Sequence, residues 1–183
     1  MENNYIKQLK RGEITLKDIP VEHRTPEVCE AAVTLSGMAF QFIPIELHTK
    51  ELCTMAVRRY GWALKYVPVE LRTPELCEIA VKDFYWALEF VPVELRTFEL
   101  CEIAVKENGM ALEFVPIELR TPELCEIAVK GNGLALEFVP EELKTEAICE
   151  LAALNTIESL TFAPSNIKTN KFINRLDKLI NKK

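Results

Sequence analysis

Six cysteines, Cys29, Cys53, Cys77, Cys101, Cys125 and Cys149, fall 24 residues apart and account for every cysteine in the 183-residue chain. Thiols could pair as disulfides or ligate a metal, and both reactions make demands on spacing. Equivalent positions in stacked helical units lie about 8–10 Å apart, whereas a disulfide spans Cα atoms no more than roughly 7 Å apart. A thiolate metal site needs convergent ligands at short spacing such as C-x-x-C, which the sequence lacks. The cysteines therefore read as inert, buried small residues.

The two histidines, His23 and His48, stand at repeat positions held elsewhere by Leu and Arg. No glycine-rich phosphate loop, H-E-x-x-H helix or Ser-His-Asp arrangement accompanies them, so neither an enzyme nor a cofactor is expected. Recognition is the chemistry that remains. Arg58, Arg59, Tyr60, Trp62, Phe84, Tyr85 and Trp86 cluster in two short stretches that contain both tryptophans of the chain, and Tyr, Trp and Arg are the side chains that most often dominate binding hot spots.

The elements that must position these residues follow from the 24-residue period. Prolines keep it at Pro20, Pro44, Pro68, Pro92, Pro116, Pro140 and Pro164, and threonines keep it from Thr25 to Thr169. A fixed period of this length means that each unit buries its apolar face only against its neighbours, which predicts an all-α solenoid of helical hairpins. In the unit Val115 to Phe138, Thr121 suits an N-cap, Pro122 the first helical position and Glu123 the positive end of the helix dipole. Helix A starts there, with Glu126 and Lys130 as an i,i+4 pair repeated at Glu78/Lys82 and Glu102/Lys106. Asn132-Gly133 is expected to end it, glycine taking a left-handed conformation. Leu134, Ala135, Leu136 and Phe138 make a short helix B of one to two turns, α or 3-10, limited by Pro140.

The motif A-V-K-x-N-G-x-A-L-E-F-V-P at Ala104 to Pro116 and Ala128 to Pro140 resembles a family of short tandem helical repeats catalogued as a domain of unknown function, over residues 19 to 162. Its members occur in bacteria, protists and large viruses, and it carries no established catalytic residues to transfer. The 24-residue unit also resembles the leucine-rich-variant repeat, which would imply alternating α and 3-10 helices in a right-handed superhelix.

Six repeats are expected over residues 19–162, with an N-terminal cap at 1–18 and a capping helix at 163–183, together one continuous solenoid domain. In the last segment Phe172, Ile173, Leu176, Leu179 and Ile180 keep helical spacing, while Arg175, Asp177, Lys178 and Lys182 populate the other face. Such caps cover the apolar face that the last repeat leaves open.

Charge is segregated: residues 19–167 hold 24 acidic and 12 basic side chains, and 168–183 hold six basic and one acidic. Glu22, Glu46, Glu70, Glu94, Glu118 and Glu142 recur beside Arg24, Arg72, Arg96, Arg120 and Lys144, so stacking would place ladders of opposite sign side by side. Either these neutralise one another as weak surface pairs, or they form an acidic rod that imitates a nucleic-acid backbone toward a basic partner. The polar start Met1-Glu2-Asn3-Asn4-Tyr5 lacks the regions of a signal peptide, and no apolar run approaches a membrane span. A cytoplasmic protein, monomeric or weakly oligomeric and away from membranes, is expected.

Repeats starting at Val91 and Val115 agree at 20 of 24 positions, and the greatest variation falls on the turn between helices A and B. Tyr85 stands where four other repeats carry glycine, a departure that costs on the order of 1 kcal/mol if the turn is left-handed. Tyr60, Phe84 and Tyr85 are expected to be exposed. Trp62 and Trp86, in one row with Met38, Met110 and Leu134, suit either core or surface. The leading function is a non-catalytic scaffold that binds a protein or peptide through this aromatic and basic patch. Acidic mimicry is the alternative, and direct nucleic-acid binding is opposed by the surrounding negative charge.

Overall fold

The computed structural model describes residues 3–181. Met1, Glu2, Lys182 and Lys183 lie outside the described residues, among them the Lys182 expected on the polar face of the last helix.

Each repeat takes the same course, in which a three-residue 3-10 turn leads into a ten-residue α-helix A and then a six-residue helix B, itself 3-10 in form. Helix A is α2 (Pro26–Leu35), α3 (Lys50–Arg59), α4 (Pro74–Asp83), α5 (Phe98–Glu107), α6 (Pro122–Gly131) and α7 (Glu146–Asn155). These are flanked by α1 (Asn4–Lys10) and α8 (Asn170–Ile180). Helix B spans Gly37–Phe42, Gly61–Tyr66, Tyr85–Phe90, Gly109–Phe114, Gly133–Phe138 and Ile157–Phe162. No strand occurs among the described residues. The fold is an all-α repeat solenoid.

Local chemistry sets the helix starts. The hydroxyl oxygens of Thr49, Thr73, Thr97, Thr121 and Thr145 each accept the backbone N–H three residues on, at 3.2–3.4 Å, satisfying one of the donors a helix N-terminus leaves free. Proline occupies the first helical position of α2, α4 and α6, where its missing N–H costs nothing. The three Glu-to-Lys pairs form as expected, at Glu78/Lys82, Glu102/Lys106 and Glu126/Lys130.

The expected left-handed glycine is absent. The residue after helix A is extended in every repeat, with φ of −152° at Ser36, −164° at Tyr60, −152° at Phe84, −154° at Asn108, −149° at Asn132 and −144° at Thr156. Among the described residues the one positive φ belongs to Gly12, outside the repeats. The glycines that open helix B serve close packing instead. A Cβ on Gly37, Gly61, Gly109 or Gly133 would stand 2.8, 2.5, 2.1 or 2.3 Å from the carbonyl oxygen of Ala56, Ala80, Ala128 or Ala152, each in helix A of the next repeat. Tyr85 therefore carries no left-handed strain, and the cost assigned to it from sequence does not exist.

The chain forms two compact units, Met1–Leu95 and Arg96–Lys183. In the first, α1 packs on α2, α2 on α3 and α3 on α4, and the helix B segments of its three repeats follow one another in contact. In the second, α5, α6, α7 and α8 pack in succession. Within each unit helix B lies against its own helix A and the next one, which in the second, fourth and fifth repeats buries Leu64, Leu112 and Leu136 completely. Each such leucine contributes about 1.5–3 kcal/mol relative to exposure. No helix among the described residues is long and apolar enough to cross a membrane.

Arginines staple the repeats together, which the sequence reading did not foresee. Arg72 donates from Nε to the Val67 carbonyl at 2.8 Å, from Nη2 to Lys65 at 3.4 Å and from Nη1 to Phe90, 18 residues ahead. Arg24 and Arg120 repeat the pattern, reaching Phe42 and Phe138 at 2.6 Å, and Arg96 reaches Phe114 at 2.7 Å. The guanidinium groups are half-buried and are spent on the backbone. Among the described residues, no ion pair joins Arg24, Arg72 or Arg120 to Glu22, Glu70 or Glu118. At these three arginines the expected pairs with the neighbouring glutamates do not form.

Candidate functional site

The aromatic stretches of repeats 2 and 3 lie within the first unit. Because the residue joining helices A and B is extended, it accepts any side chain, and this is the physical reason that Ser, Tyr, Phe, Asn and Thr alternate there. Asn108 and Asn132 use the position to cap helix B, accepting from the N–H of Met110 at 2.9 Å and of Leu134 at 3.0 Å. Tyr60 and Phe84 cannot do so and make no such cap, a loss of about 1 kcal/mol at each. A local rule is broken at these two residues, though not the rule inferred from the sequence.

The structure brings four of the seven proposed residues into one run of rings. Trp62 meets Phe84 edge-on at 5.4 Å between centroids, Phe84 meets Tyr85 at 5.6 Å, and Tyr85 meets Trp86 at 5.9 Å. An edge-to-face pair such as Trp62–Phe84 adds about 0.5–1.5 kcal/mol beyond area burial, and the other two pairs are tilted. Tyr60 is separate: a Cβ on Gly37 would lie 2.8 Å from the Tyr60 Cβ and 2.9 Å from the Arg59 Cβ, so both flank the turn of repeat 1. Arg58 and Arg59 are exposed at the end of α3. Tyr60, Trp62, Phe84, Tyr85 and Trp86 are all half-buried. Neither the exposure expected of the first, third and fourth nor a core position for the tryptophans describes them.

Two members were missed. Phe90 packs edge-on against Trp62 at 4.9 Å, and the Lys65 ammonium stands 5.5 Å from the Trp62 ring centre and 5.7 Å from that of Phe90. Lys65 was legible in principle, because residues i and i+3 eclipse in a 3-10 helix and helix B of repeat 2 is 3-10. Phe90 belongs to a row of aromatics recurring at the end of helix B, from Phe42 to Phe162. This surface can bind through ring faces, edges and cations.

The thiols sit at the opposite chemical extreme. All six are fully buried, and the Cys29 thiol donates to the Arg24 carbonyl at 3.5 Å. Burial pushes Cys53, Cys77, Cys101 and Cys125 up to about 11 and raises Cys29 and Cys149 as well. A thiol so protonated is a poor nucleophile and ligand. Among the described residues no three His, Cys, Asp or Glu side chains gather as a metal would require.

The repeat register agrees with a known family. The model described as Domain of unknown function (DUF4116) matches residues 25–72, 73–120 and 97–144. The chain belongs to this family. Each DUF4116 match begins on a helix A cap threonine, Thr25, Thr73 or Thr97, and covers two repeats. The second and third matches overlap by one repeat, so the structural unit of DUF4116 in this chain is the 24-residue A–B–turn module. No curated protein matches the chain.

Proposed function

We propose that this DUF4116 chain is a non-catalytic interaction scaffold that grips a protein or peptide through the turns of repeats 2 and 3. The observation that carries the reading is the half-buried run Trp62–Phe84–Tyr85–Trp86, in the same unit as Arg58 and Arg59, which are exposed at the end of α3. The half-buried rings are held by their neighbours, so little side-chain entropy remains to be lost on binding, and exposed Lys65 beside Trp62 and Phe90 can add a charged contact. The missing caps at Tyr60 and Phe84 support the same reading, since departures from local rules concentrate where function outweighs foldability.

The test replaces Tyr60, Phe84 and Tyr85 by the Asn, Asn and Gly that other repeats carry at those positions. Tyr60→Asn and Phe84→Asn restore helix B caps, so the triple variant should retain wild-type helicity by circular dichroism. In affinity capture from the native host, a protein held by wild type and lost by the triple variant supports the scaffold and locates its surface. Equal capture by both overturns it.

A further inference from the structure

A second surface of the first unit carries an apolar row that the aromatic patch does not use. Val21, Ile45, Val69 and Val93 are 59%, 67%, 53% and 61% exposed, each as the first residue of a 3-10 turn that follows proline. Glu22, Glu46, Glu70 and Glu94 follow them in sequence and are exposed as well. Since α2, α3 and α4 stack in order, equivalent positions line up, and the four apolar side chains form a stripe beside four carboxylates. The fold does not require apolar residues there: repeat 6 forms the same turn, Glu141–Leu143, with exposed Glu141 at that position. Contiguous exposed apolar surface on a soluble domain marks an interaction site.

Charge and spacing identify the occupant. Arg24 and Arg72 donate to backbone carbonyls, the neighbouring Glu22 and Glu70 are exposed to a partner, and Glu30, Glu46 and Glu51 line a cleft with Leu47, Leu52 and Met55. Rungs of a helical stack recur every 8–10 Å or so. A helix places residues i and i+7 about 10.5 Å apart on one face, whereas same-face residues of an extended strand recur every ~6.7 Å. An apolar stripe is of no use in imitating phosphates, so the surface does not read as a nucleic-acid mimic. We propose that the Val21–Ile45–Val69–Val93 stripe docks an amphipathic helix of a partner protein, with an apolar residue every seven positions and Lys or Arg beside that seam.

The proposal is independent of the aromatic patch, and its test keeps the two apart. The probe is a labelled peptide of about 22 residues, long enough at 1.5 Å per residue to span four rungs, with leucine at each seventh position, lysine beside it and alanine or glutamine elsewhere. Its binding to the full chain is read by fluorescence anisotropy. Wild type should bind; Ile45→Ser/Val69→Ser should weaken binding at least about tenfold, roughly 1.4 kcal/mol; Glu46→Gln/Glu70→Gln should weaken it and flatten its salt dependence. The Tyr60/Phe84/Tyr85 triple variant should bind as wild type does, whatever its own capture result. No binding by wild type, equal binding by the serine variant, or equal binding of a peptide with glutamate in place of lysine overturns the proposal. So does self-association of the unliganded wild type that the serine changes abolish, because the stripe would then serve a second copy of the chain.

Discussion

At the scale of single residues, the glycines of helix B and the one histidine of the arginine row show how position fixes meaning. Gly61 has no Cβ because the Ala80 carbonyl oxygen stands where that atom would press, at 2.5 Å, while its own N–H donates to the Asp83 carboxylate at 2.6 Å. Gly61→Ala should therefore lose about 1–3 kcal/mol in chemical denaturation, as overpacked sites do. Gly131, exposed at the end of α6, has nothing closer than 3.7 Å to an added Cβ, and Gly131→Ala should gain about 0.5–1 kcal/mol. Two glycines in one protein then move in opposite directions. His48 takes the place of the stapling arginine in repeat 2. Its Nε2 lies 3.1 Å from the Ile43 carbonyl, which can only accept, so the neutral ring leaves Nδ1 as a bare acceptor, buried and unpaired. Burial lowers the His48 pKa below its ordinary 6.5. The neutral ring thus contributes stability that is complete above pH 6.5 and is lost as pH falls through the lower folded value. His48→Arg should remove that acid sensitivity and gain about 1–2 kcal/mol at neutral pH from the restored carbonyl contacts. Denaturation of both proteins at pH 7.5 and below 6 decides it.

At the scale of elements, the stack is fastened from one helix B to the next by arginine rather than by surface ion pairs. Arg72 reaches carbonyls of Lys65, Val67 and Phe90, which belong to two successive helix B ends. Arg72→Met should cost about 2–4 kcal/mol, because two partly buried acceptors and an exposed one lose charge-assisted partners at once. Arg72→Lys should recover only part of this, since an ammonium cannot fan out over three carbonyls as a planar guanidinium does. Were the arginine a partner of Glu70 instead, Glu70→Gln should cost as much; the structure predicts that it is nearly neutral. Helix A was legible residue by residue, because a cap threonine, a proline at the first position and an apolar 3.6-residue period each act locally. Helix B was legible in extent but not in kind. Its 3-10 form, and so the eclipse of Trp62 with Lys65, depends on two neighbouring helices A pressing on it from outside its own sequence.

At the scale of the whole molecule, α8 sits against α7 with Phe172 and Leu176 each only 1% exposed, and Arg175 ties it to Glu146 and Glu150. Phe172→Ala together with Leu176→Ala should lower the stability of this unit by several kcal/mol, about 2–5 for each large core truncation before any coupling. It should also open the apolar flank of α7 to self-association, visible by sedimentation as a concentration-dependent shift. What sequence alone determined was the repeat, its length, its helix starts and its buried rows, because a strict 24-residue period fixes which residues recur on each inner face. What only the tertiary structure decided was the use made of the residues at the joints. Glycine there serves a close approach rather than a left-handed turn, arginine serves carbonyls one repeat away rather than the adjacent glutamate, and Val21, Ile45, Val69 and Val93 face outward. Each of these depends on atoms of the next repeat, at distances that follow from how the units stack and that no single repeat encodes.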